Sequence, residues 1–442
     1  MEMEEGQMNA GSSKYSSYDA YFDNIQSRKK LSSELQEKLT AAFAEIPASS
    51  FPLVPGGKVI EIPADTSIGE AVKILSQSKI MAAPVRSTDT DSTDWRERYL
   101  GIIDYSAIVL WVIESAEIAS AALSAGAATA AGIGVGAVGA IGAVALGATG
   151  PVAAVGLAVA AMGAAVAGGI AANKEAGNDA AEAADKMGDD FYKVILHEEP
   201  FKSTTVRSIM KTYRWAPILP VETNSSMLSV LLLLSKYRLR NVPVIEPGHP
   251  DIKNFITQTA VVQGLDKCKG RDWFDCISGM PISDLGLPFM SPEEVVTVGS
   301  DELVLEAFKK MRDNQIGGLP VVEGAECKLI GNLSIRDIRH LLLKPELLHD
   351  LRQFTVRKFM ESIAEENGKI LAPITCKRDA TLGSVIQSLT SNCIHRIHVV
   401  ADDGEEVVGV ITLRDVISCF IHEPKNYFDS YLGFSAASVL GA

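Results

Sequence analysis

The sequence has little positive charge relative to its negative charge. Its 442 residues include 41 Lys and Arg but 55 Asp and Glu, which gives a formal net charge of −14 at pH 7. This balance argues against a general binder of DNA or another polyanion, although it leaves room for a local basic site that holds a small phosphate. The first residues, MEMEEGQMNAGSSKYSS, are acidic and polar and do not have the basic-then-apolar pattern of a secretory signal.

Cysteines are few, and none are paired as CxxC. The six are Cys268, Cys276, Cys327, Cys376, Cys393 and Cys419. No Cys and His spacing is typical of a zinc site, and so few cysteines in a chain of this length do not predict a disulfide framework. We therefore expect buried free thiols in a reducing compartment and no bound metal.

The sequence also lacks the common catalytic motifs. It contains no GxxxxGK[ST] phosphate loop, no HRD and DFG kinase set, no GxSxG and no HExxH. This absence favours a regulatory or binding protein over an enzyme.

Charged residues are absent from residues 118–173, which consist largely of alanine and glycine. The run is long enough for two membrane-spanning helices with a turn at residues 147–151. However, alanine and glycine contribute little to insertion, and no aromatic residue lies between Trp111 and Phe191 to form an interfacial belt. We expect a helical insert on a soluble protein, covered by itself or a partner because an exposed uncharged run would aggregate. Membrane association is the alternative.

The chain contains a fourfold internal repeat. Its copies are residues 58–114, 214–265, 293–343 and 368–421. In copy three, the clearest, a strand at 295–298 is predicted to precede an amphipathic helix, a glycine turn, two further strands and a second helix. This interpretation rests on Leu303, Ala307, Phe308 and Met311 in the helix, Gly317 and Gly318 at the turn, and strands at 319–322 and 329–333. One β-α-β-β-α copy covers its sheet poorly, so four copies predict an α+β fold of two pairs.

Short motifs recur within these copies: RWAPILPV, LLLLSKYRLRNVPVI, IGGLPVV, GNLSIRDI, HRIHVV and GVITLRDVI. They resemble the cystathionine-β-synthase (CBS) domain. Four such domains in series resemble the gamma regulatory subunit of AMP-activated and sucrose-non-fermenting-related protein kinases, especially the plant forms. The resemblance implies four CBS repeats that form two CBS pairs. The predicted domains are a disordered N-terminus at 1–30, CBS repeats at 45–115, 200–268, 281–345 and 356–425, and an alanine- and glycine-rich insert at 116–190.

Copies three and four share the motif G-x-x-[ST]-x-x-D where a strand passes into a helix. The hydroxyl and the acid are Ser334 and Asp337 in copy three, and Thr412 and Asp415 in copy four. A hydroxyl among the free N–H groups of a helix start suits a phosphate, and the acid can accept hydrogen bonds from both ribose hydroxyls. The same spacing is typical of a capping box, which needs no ligand. Both interpretations remain open, and the resemblance favours ribose binding.

The first two copies depart from this motif. Copy one has Asp104 in place of the hydroxyl residue and Ala107 in place of the acid, whereas copy two has Thr257 followed by Ala260. We therefore expect at most two competent nucleotide sites, from copies three and four.

Basic residues precede the second strand of two copies. The resemblance implies that His395 and Arg396 contact nucleotide phosphates. Arginine offers a planar charged fork, and histidine adds a donor whose charge varies near pH 7. A surface pair is the alternative. Copy two has Arg238 and Arg240, which are either further phosphate donors or exposed residues at a helix end. Copy three has two glycines at this junction, so the set of phosphate ligands is sparse.

The function that the resemblance implies is regulation of an energy-sensing serine/threonine protein kinase. AMP, ADP or ATP would be the regulatory ligands, and a catalytic alpha chain and a beta scaffold would be the partners, in the cytoplasm or nucleus. Nucleic acid is not expected as a partner. Two alternatives remain open. The first is a CBS scaffold without nucleotide binding, supported by the missing acids of copies one and two. The second is a membrane-associated CBS regulator, supported by residues 118–173.

Overall fold

The structure, a computed structural model, describes most of the repeat region. The described residues are 22–111, 204–210, 218–338, 354–367 and 372–427, with short gaps inside the first, third and last ranges. The insert predicted at 116–190 lies outside them. Within those ranges, none of the helices has both the length and the apolar character that a membrane span requires.

Helix α1 (Ser33–Glu45) precedes four related units. Copy one comprises β1 (Ile62–Pro63), α2 (Ile68–Gln77), β2 (Ala82–Arg86), α3 (Trp95–Arg98) and β3 (Tyr99–Asp104). Copy two comprises α4 (Val206–Met210), β4 (Val221–Glu222), α5 (Met227–Lys236), β5 (Asn241–Ile245), β6 (Ile252–Thr257) and α6 (Gln258–Asp266), and it is followed by α7 (Asp272–Ser278). Copy three comprises β7 (Val298–Gly299), α8 (Val304–Asp313), β8 (Gly318–Glu323), β9 (Lys328–Ser334) and a 3-10 helix (Ile335–Ile338). Copy four comprises α9 (Val356–Asn367), β10 (Thr375–Cys376), α10 (Leu382–Ser391), β11 (Arg396–Val400), β12 (Val407–Thr412) and α11 (Leu413–Cys419).

Each copy forms a three-stranded sheet of the same topology. The short first strand pairs in parallel with the second, and the second pairs antiparallel with the third. The register is equivalent in all four sheets, because the first residue of the second strand is always opposite the last residue of the third. These pairs are Ala82 with Asp104, Asn241 with Thr257, Gly318 with Ser334, and Arg396 with Thr412. The predicted α+β fold of four repeats is confirmed, and its motif positions are structurally equivalent.

Copy three differs from its prediction at the start. The first strand begins only at Val298, at the end of the predicted range 295–298. Leu303 does not lie on the buried face of the helix: it is the residue before α8 and is 36% exposed. Its backbone forms a bridge with Thr355 instead, which keeps it outside the helix. The other three predicted apolar positions of α8 are completely buried.

The copies contact each other in two ways. One kind of contact forms the two predicted pairs, and the other joins the two pairs to each other. Within pairs, the contacts lie beside the sheets: Arg98 at the end of α3 in copy one forms an ion pair with Asp251, just before β6 of copy two, and Lys328 of copy three bridges Glu406 of copy four. Between pairs, helices pack together. The buried core of copy two is continuous with that of copy four, and the core of copy one with that of copy three.

Helix α5 is buried along its whole length, as expected for a helix that is apolar on all sides. The hydroxyl of Ser226 caps its start and accepts a hydrogen bond from Ser229 N at 3.3 Å. At its end, Lys236 Nζ lies 3.0 and 2.9 Å from the two carboxylate oxygens of Glu423. The helix therefore fixes the segment from which the copy-two arginines extend.

The N-terminal segment packs on the core of copies two and four and is helical at residues 22–28. Phe22 and Ile25 are 1% and 2% exposed, and Arg28 donates two hydrogen bonds to Glu294 at 2.6 and 2.9 Å. The prediction of disorder up to residue 30 is wrong from residue 22 onward, because buried apolar side chains anchor this segment.

All six cysteines are free thiols, but the prediction that they are buried is correct only for Cys419. Cys276, Cys327 and Cys393 are exposed, and the other two are half-buried. Cys327 and Cys393 have φ of 49° and 51°, typical of turns, and therefore lie outside the apolar pattern of the strands and helices.

Candidate functional site

A cavity of about 460 Å³ lies between copies three and four. Copy three contributes the end of β9 and the 3-10 helix that follows. Copy four contributes α9, the segment before β10 and the segment that enters β11. The apolar lining includes Met360, Ile363, Ala364, Pro373 and Ile374, and the polar lining consists mainly of Asn332, Ser334, Arg336, Asp337, His395, Arg396 and His398.

Half of the predicted site residues line this cavity. They are Ser334, Asp337, His395 and Arg396. Thr412, Asp415, Arg238 and Arg240 are not part of its lining. The structure thus brings together the ribose motif of copy three and the His-Arg pair of copy four, two motifs that are distant in sequence.

Ser334 and Asp337 cap the 3-10 helix and border the cavity at the same time. Ser334 N donates to Asp337 Oδ2 at 2.8 Å, and Ser334 Oγ accepts a hydrogen bond from Arg336 N at 3.3 Å. The capping interpretation therefore describes their local geometry. Because both side chains also line the cavity, capping and ligand binding are compatible at this motif.

Thr412 and Asp415 form a complete capping box at the start of α11. Thr412 N and Thr412 Oγ1 both donate to Asp415 Oδ2 at 2.7 Å, and Asp415 is only 4% exposed. The same motif thus has a more buried setting in copy four than in copy three.

Arg396 extends across the two glycines of copy three. A β-carbon on Gly318 would overlap Arg396 Nη1, and one on Gly317 would lie 3.1 Å from Arg396 Nη2. Burial lowers the pKa of Arg396 to about 10, while the charge of Asp337 acts in the opposite direction. Arg396 is therefore charged at pH 7. Copy three therefore has no basic side chain at this junction, and its two glycines leave space for the Arg396 side chain of copy four.

Arginines from three copies surround His395. Burial, and then the positive charges of Arg336, Arg396 and Arg240, lower the pKa of His395 to about 3. Its Nε2 atom lies 3.3 Å from Thr259 Oγ1. The expectation that its charge varies near pH 7 is therefore wrong, because desolvation and three neighbouring cations keep the ring neutral. The positive charge of this region comes from guanidinium groups alone.

The two arginines of copy two contact other copies. Arg240 Nη1 donates to Asp104 Oδ2 at 3.0 Å, and a β-carbon on Gly317 would lie 3.8 Å from Arg240 Nη2. Arg238, with a φ of 56°, donates from Nη1 to Gln315 Oε1 at 3.4 Å. Both arginines are half-buried, in contrast to the predicted alternative of exposed residues at a helix end.

Sequence reasoning missed Arg336 and Asn332 as lining residues, and for His398, which alternates with Arg396 along a strand, it favoured a structural role over a shared face. His398 is 2% exposed, and its Nε2 lies 3.2 Å from Asn332 Oδ1. Its Nδ1 has no hydrogen-bond partner among the described residues. Burial, followed by the charge of Arg396, lowers the pKa of His398 to about 4. Arg336 could have been found, because it stands between the hydroxyl and the acid of the motif SIRD.

The lining suits a small anion that carries an apolar group. The volume falls within the range of ligand pockets, about 300–1,000 Å³. Apolar side chains from α9 and the following segment can cover a base, while hydroxyl, carboxylate and guanidinium groups form the polar side. The unpartnered Nδ1 of His398 is a further hydrogen-bonding atom at this wall. These features fit a mononucleotide.

Comparison with known proteins identifies one matching domain family and several relatives of this chain. The CBS domain family model matches residues 282–344 and 370–422. The chain is 66% identical over 429 residues to the SNF1-related protein kinase regulatory subunit gamma-1-like of Arabidopsis thaliana, covering 96% of both chains. It is 36% identical to the regulatory subunit gamma-1 of the same plant, over 89% of this chain and 86% of the relative. It is 23% identical to the 5'-AMP-activated protein kinase subunit gamma-3 of Homo sapiens, over 52% of this chain and 45% of the relative.

Proposed function

The chain belongs to the family of regulatory gamma subunits of SNF1-related protein kinases, and from this premise we propose that it regulates an energy-sensing serine/threonine kinase by binding an adenine nucleotide between copies three and four. The observation that carries the nucleotide proposal is the convergence of Ser334, Asp337, His395 and Arg396 on one cavity.

The chemistry of the cavity lining supports different binding residues for the base, the ribose and the phosphate of the nucleotide. The apolar side chains of α9 would cover the adenine, and Ser334 with Asp337 would bind the ribose hydroxyls. Arg396, assisted by Arg336 and neutral His395, would bind phosphate, because an arginine fork matches phosphate oxygens in two places. This arrangement uses protein groups only and needs no metal ion.

A second nucleotide site follows from the copy-four motif. Thr412 and Asp415 would bind its ribose, and Arg238 and Arg240 would supply phosphate donors toward the centre of the molecule. In this proposal, Asp415 keeps its capping role and offers its remaining acceptor capacity to the ligand. Two sites would agree with the count of complete motifs.

The relatives are named as regulatory gamma subunits of a protein kinase, which supports the proposal that this chain works within a kinase complex. A catalytic alpha chain and a beta scaffold would assemble on this subunit in the cytoplasm or nucleus, and the chain itself would carry no catalysis. Nucleotide would regulate the kinase only if it binds its active and inactive states with different affinity.

Calorimetric titration of the full-length protein with AMP, ADP and ATP tests the nucleotide proposal. We expect saturable binding, and at one hundred times the dissociation constant the ligand should stabilise the fold by about 2.7 kcal/mol. Arg396→Gln should weaken binding at least tenfold. The matched control is Arg357→Gln, which removes an arginine whose side chain is 45% exposed and pairs with Glu323 outside the cavity.

Absence of saturable binding at millimolar nucleotide would favour the other function, a CBS scaffold that assembles the kinase without sensing nucleotide. The membrane-associated alternative rests on residues 118–173, which lie outside the described residues. Carbonate extraction of cell membranes tests it, since release of the protein into the soluble fraction would contradict membrane insertion.

A further inference from the structure

Asp104 occupies a position in copy one where copies two, three and four carry a hydroxyl residue. The strand register makes it equivalent to Thr257, Ser334 and Thr412. A carboxylate at this position cannot donate a hydrogen bond to a phosphate and instead repels it. Copy one therefore places a negative charge at the position where the other copies have a hydroxyl group.

The carboxylate of Asp104 is held by contacts to both of its oxygens. Oδ1 accepts a hydrogen bond from Ala107 N at 2.8 Å, just beyond the end of β3. Oδ2 accepts a hydrogen bond from Arg240 Nη1 at 3.0 Å, and the Asp104 side chain is only 15% exposed. This is a fixed, partly buried anion that bridges copies one and two.

Arg240 connects this anion to the centre of the molecule. Its guanidinium group and that of Arg396 lie close to the same point, the position that a β-carbon on Gly317 would occupy, and they come from copies two and four. Together with Arg336 they surround His395. Among the described residues, Asp337 acts on Arg396 and Asp104 pairs with Arg240, so these two carboxylates offset part of the positive charge of the three guanidinium groups.

Resting on the proposed function, we propose that Asp104 is a specificity-determining residue that acts as a built-in anion: it occupies Arg240 and lowers the affinity of the central arginine cluster for ligands with several phosphate charges. The limited positive charge of the arginine cluster then nearly matches the negative charge of a monophosphate. A triphosphate loses more attraction than a monophosphate from this reduction of positive charge, because it carries more negative charge. Because Coulomb energy scales with the product of charges, removal of Asp104 strengthens binding more for triphosphates than for monophosphates.

The test uses inorganic triphosphate, which carries no adenine or ribose, titrated into the full-length protein by calorimetry at low salt. Asp104→Asn should bind it about tenfold more tightly than the wild type. Asparagine retains the cap to Ala107, so the melting temperature should change little. The matched control, Asp251→Asn, removes the acid of another ion pair between copies one and two, at the opposite end of strand β6. It should bind triphosphate within twofold of the wild type.

Equal triphosphate affinity in the wild type and Asp104→Asn overturns the proposal, as does an equal gain in the Asp251→Asn control. Asp104→Ser is the second variant, because it restores the hydroxyl that copy three carries, and it should give the same gain. In an Arg240→Gln background, Asp104→Asn should give a smaller gain, since the arginine that it releases is absent and only the loss of the negative charge remains.

Failure of this inference can be distinguished from failure of the proposed function. If the wild type does not bind AMP or ATP but Asp104→Asn still gains triphosphate affinity, nucleotide sensing is rejected and the role of Asp104 stands. If the wild type binds AMP and the triphosphate affinities are equal, the role of Asp104 is rejected and nucleotide binding stands.

Discussion

A single motif performs different local tasks at Asp337 and Asp415. Both carboxylates accept a hydrogen bond from the backbone N–H three residues earlier. Asp415 also accepts a hydrogen bond from the Thr412 hydroxyl and is only 4% exposed, whereas Asp337 is half-buried. Sequence spacing is identical in the two copies, so burial rather than the motif decides how much stability each acid contributes.

Asp415→Ala should therefore lower the free energy of unfolding by about 1–2 kcal/mol, because it removes a helix cap and leaves the half-buried hydroxyl of Thr412 without its acceptor. Asp337→Ala, in the less buried copy, should cost less stability but should weaken AMP binding at the cavity. Urea unfolding and AMP titration of both variants measure the two effects. A larger loss of stability in Asp337→Ala than in Asp415→Ala would contradict this assignment.

Gly318→Ala should weaken nucleotide binding at least tenfold. The added β-carbon would overlap the guanidinium group of Arg396 and would also lie 2.7 Å from Leu333 O, so the arginine must move. The control is Gly264→Ala in helix α6, whose β-carbon would make an ordinary contact 4.0 Å from Phe51. That change should stabilise the protein by about 0.5–1 kcal/mol and leave binding unaltered. Unchanged nucleotide affinity in folded Gly318→Ala would show that Arg396 is not a ligand.

His398 should make stability depend on pH below neutrality. Its pKa is about 4 in the folded protein and near 6.5 when unfolded, so the unfolded chain binds the additional proton between these values. The free energy of unfolding should fall as the pH drops from 6.5 to 4, by up to about 1.4 kcal/mol per pH unit from this group. Urea unfolding at pH 7, 6 and 5 measures the slope, and His398→Gln should reduce it. The same slope in both proteins would refute the assignment.

At the level of secondary structure elements, helix α5 combines complete burial with a charged last residue. Lys236 and Glu423 have side chains that are 9% and 19% exposed, so neither charge is well solvated without the other. The ion pair ties the end of α5 to the chain that follows α11.

Glu423→Gln should lower the free energy of unfolding by about 3 kcal/mol, because it leaves a buried ammonium group without its counter-ion. Glu34→Gln in α1 is the control, since it breaks an exposed ion pair with Lys38 and should produce no measurable change. Thermal and urea unfolding of the two variants provide the comparison. Equal effects would mean that the environment of Lys236 is more hydrated than its burial indicates.

Elements with strong periodicity were predictable, and contacts across the repeats were not. The apolar face of α8 and the strands around Leu319 and Leu333 could be predicted, because the spacing of apolar residues along the sequence shows which side of each element is buried. The bounds of β7 could not be predicted, because a strand of two residues is too short to show an alternation of apolar and polar residues. The contact between Asp104 and Arg240 also could not be predicted, because it depends on how two copies are oriented.

At the scale of the whole molecule, sheets and helices connect the copies in different pairings. Sheet contacts join copy one to two and copy three to four, whereas the helical cores join copy one to three and copy two to four. Every copy is thereby bound to two others. The sequence predicted pairs because one copy has an uncovered sheet, but it did not contain the information for which helices join the pairs.

This connectivity predicts one cooperative unfolding transition for the repeat region. Neither half can unfold without exposing the apolar helices of the other half. Differential scanning calorimetry of the full-length protein should give a single main transition with equal calorimetric and van't Hoff enthalpies. Two separate transitions would instead indicate that the two pairs are independent domains.

The residues on either side of the long insert are held close together, and this determines where the chain can tolerate an insertion. Trp111, before it, and Val206, after it, are buried in the same core, and Ile68 N of copy one donates to Thr204 O at 3.0 Å. The junction is therefore closed by copy one itself, whatever chain joins it. Loop-closure entropy rises only with the logarithm of length, so doubling a flexible connection here would cost about 0.6 kcal/mol. This junction can accept a grafted domain or reporter with little thermodynamic penalty, whereas an insertion at the central glycines would displace the arginine that crosses them.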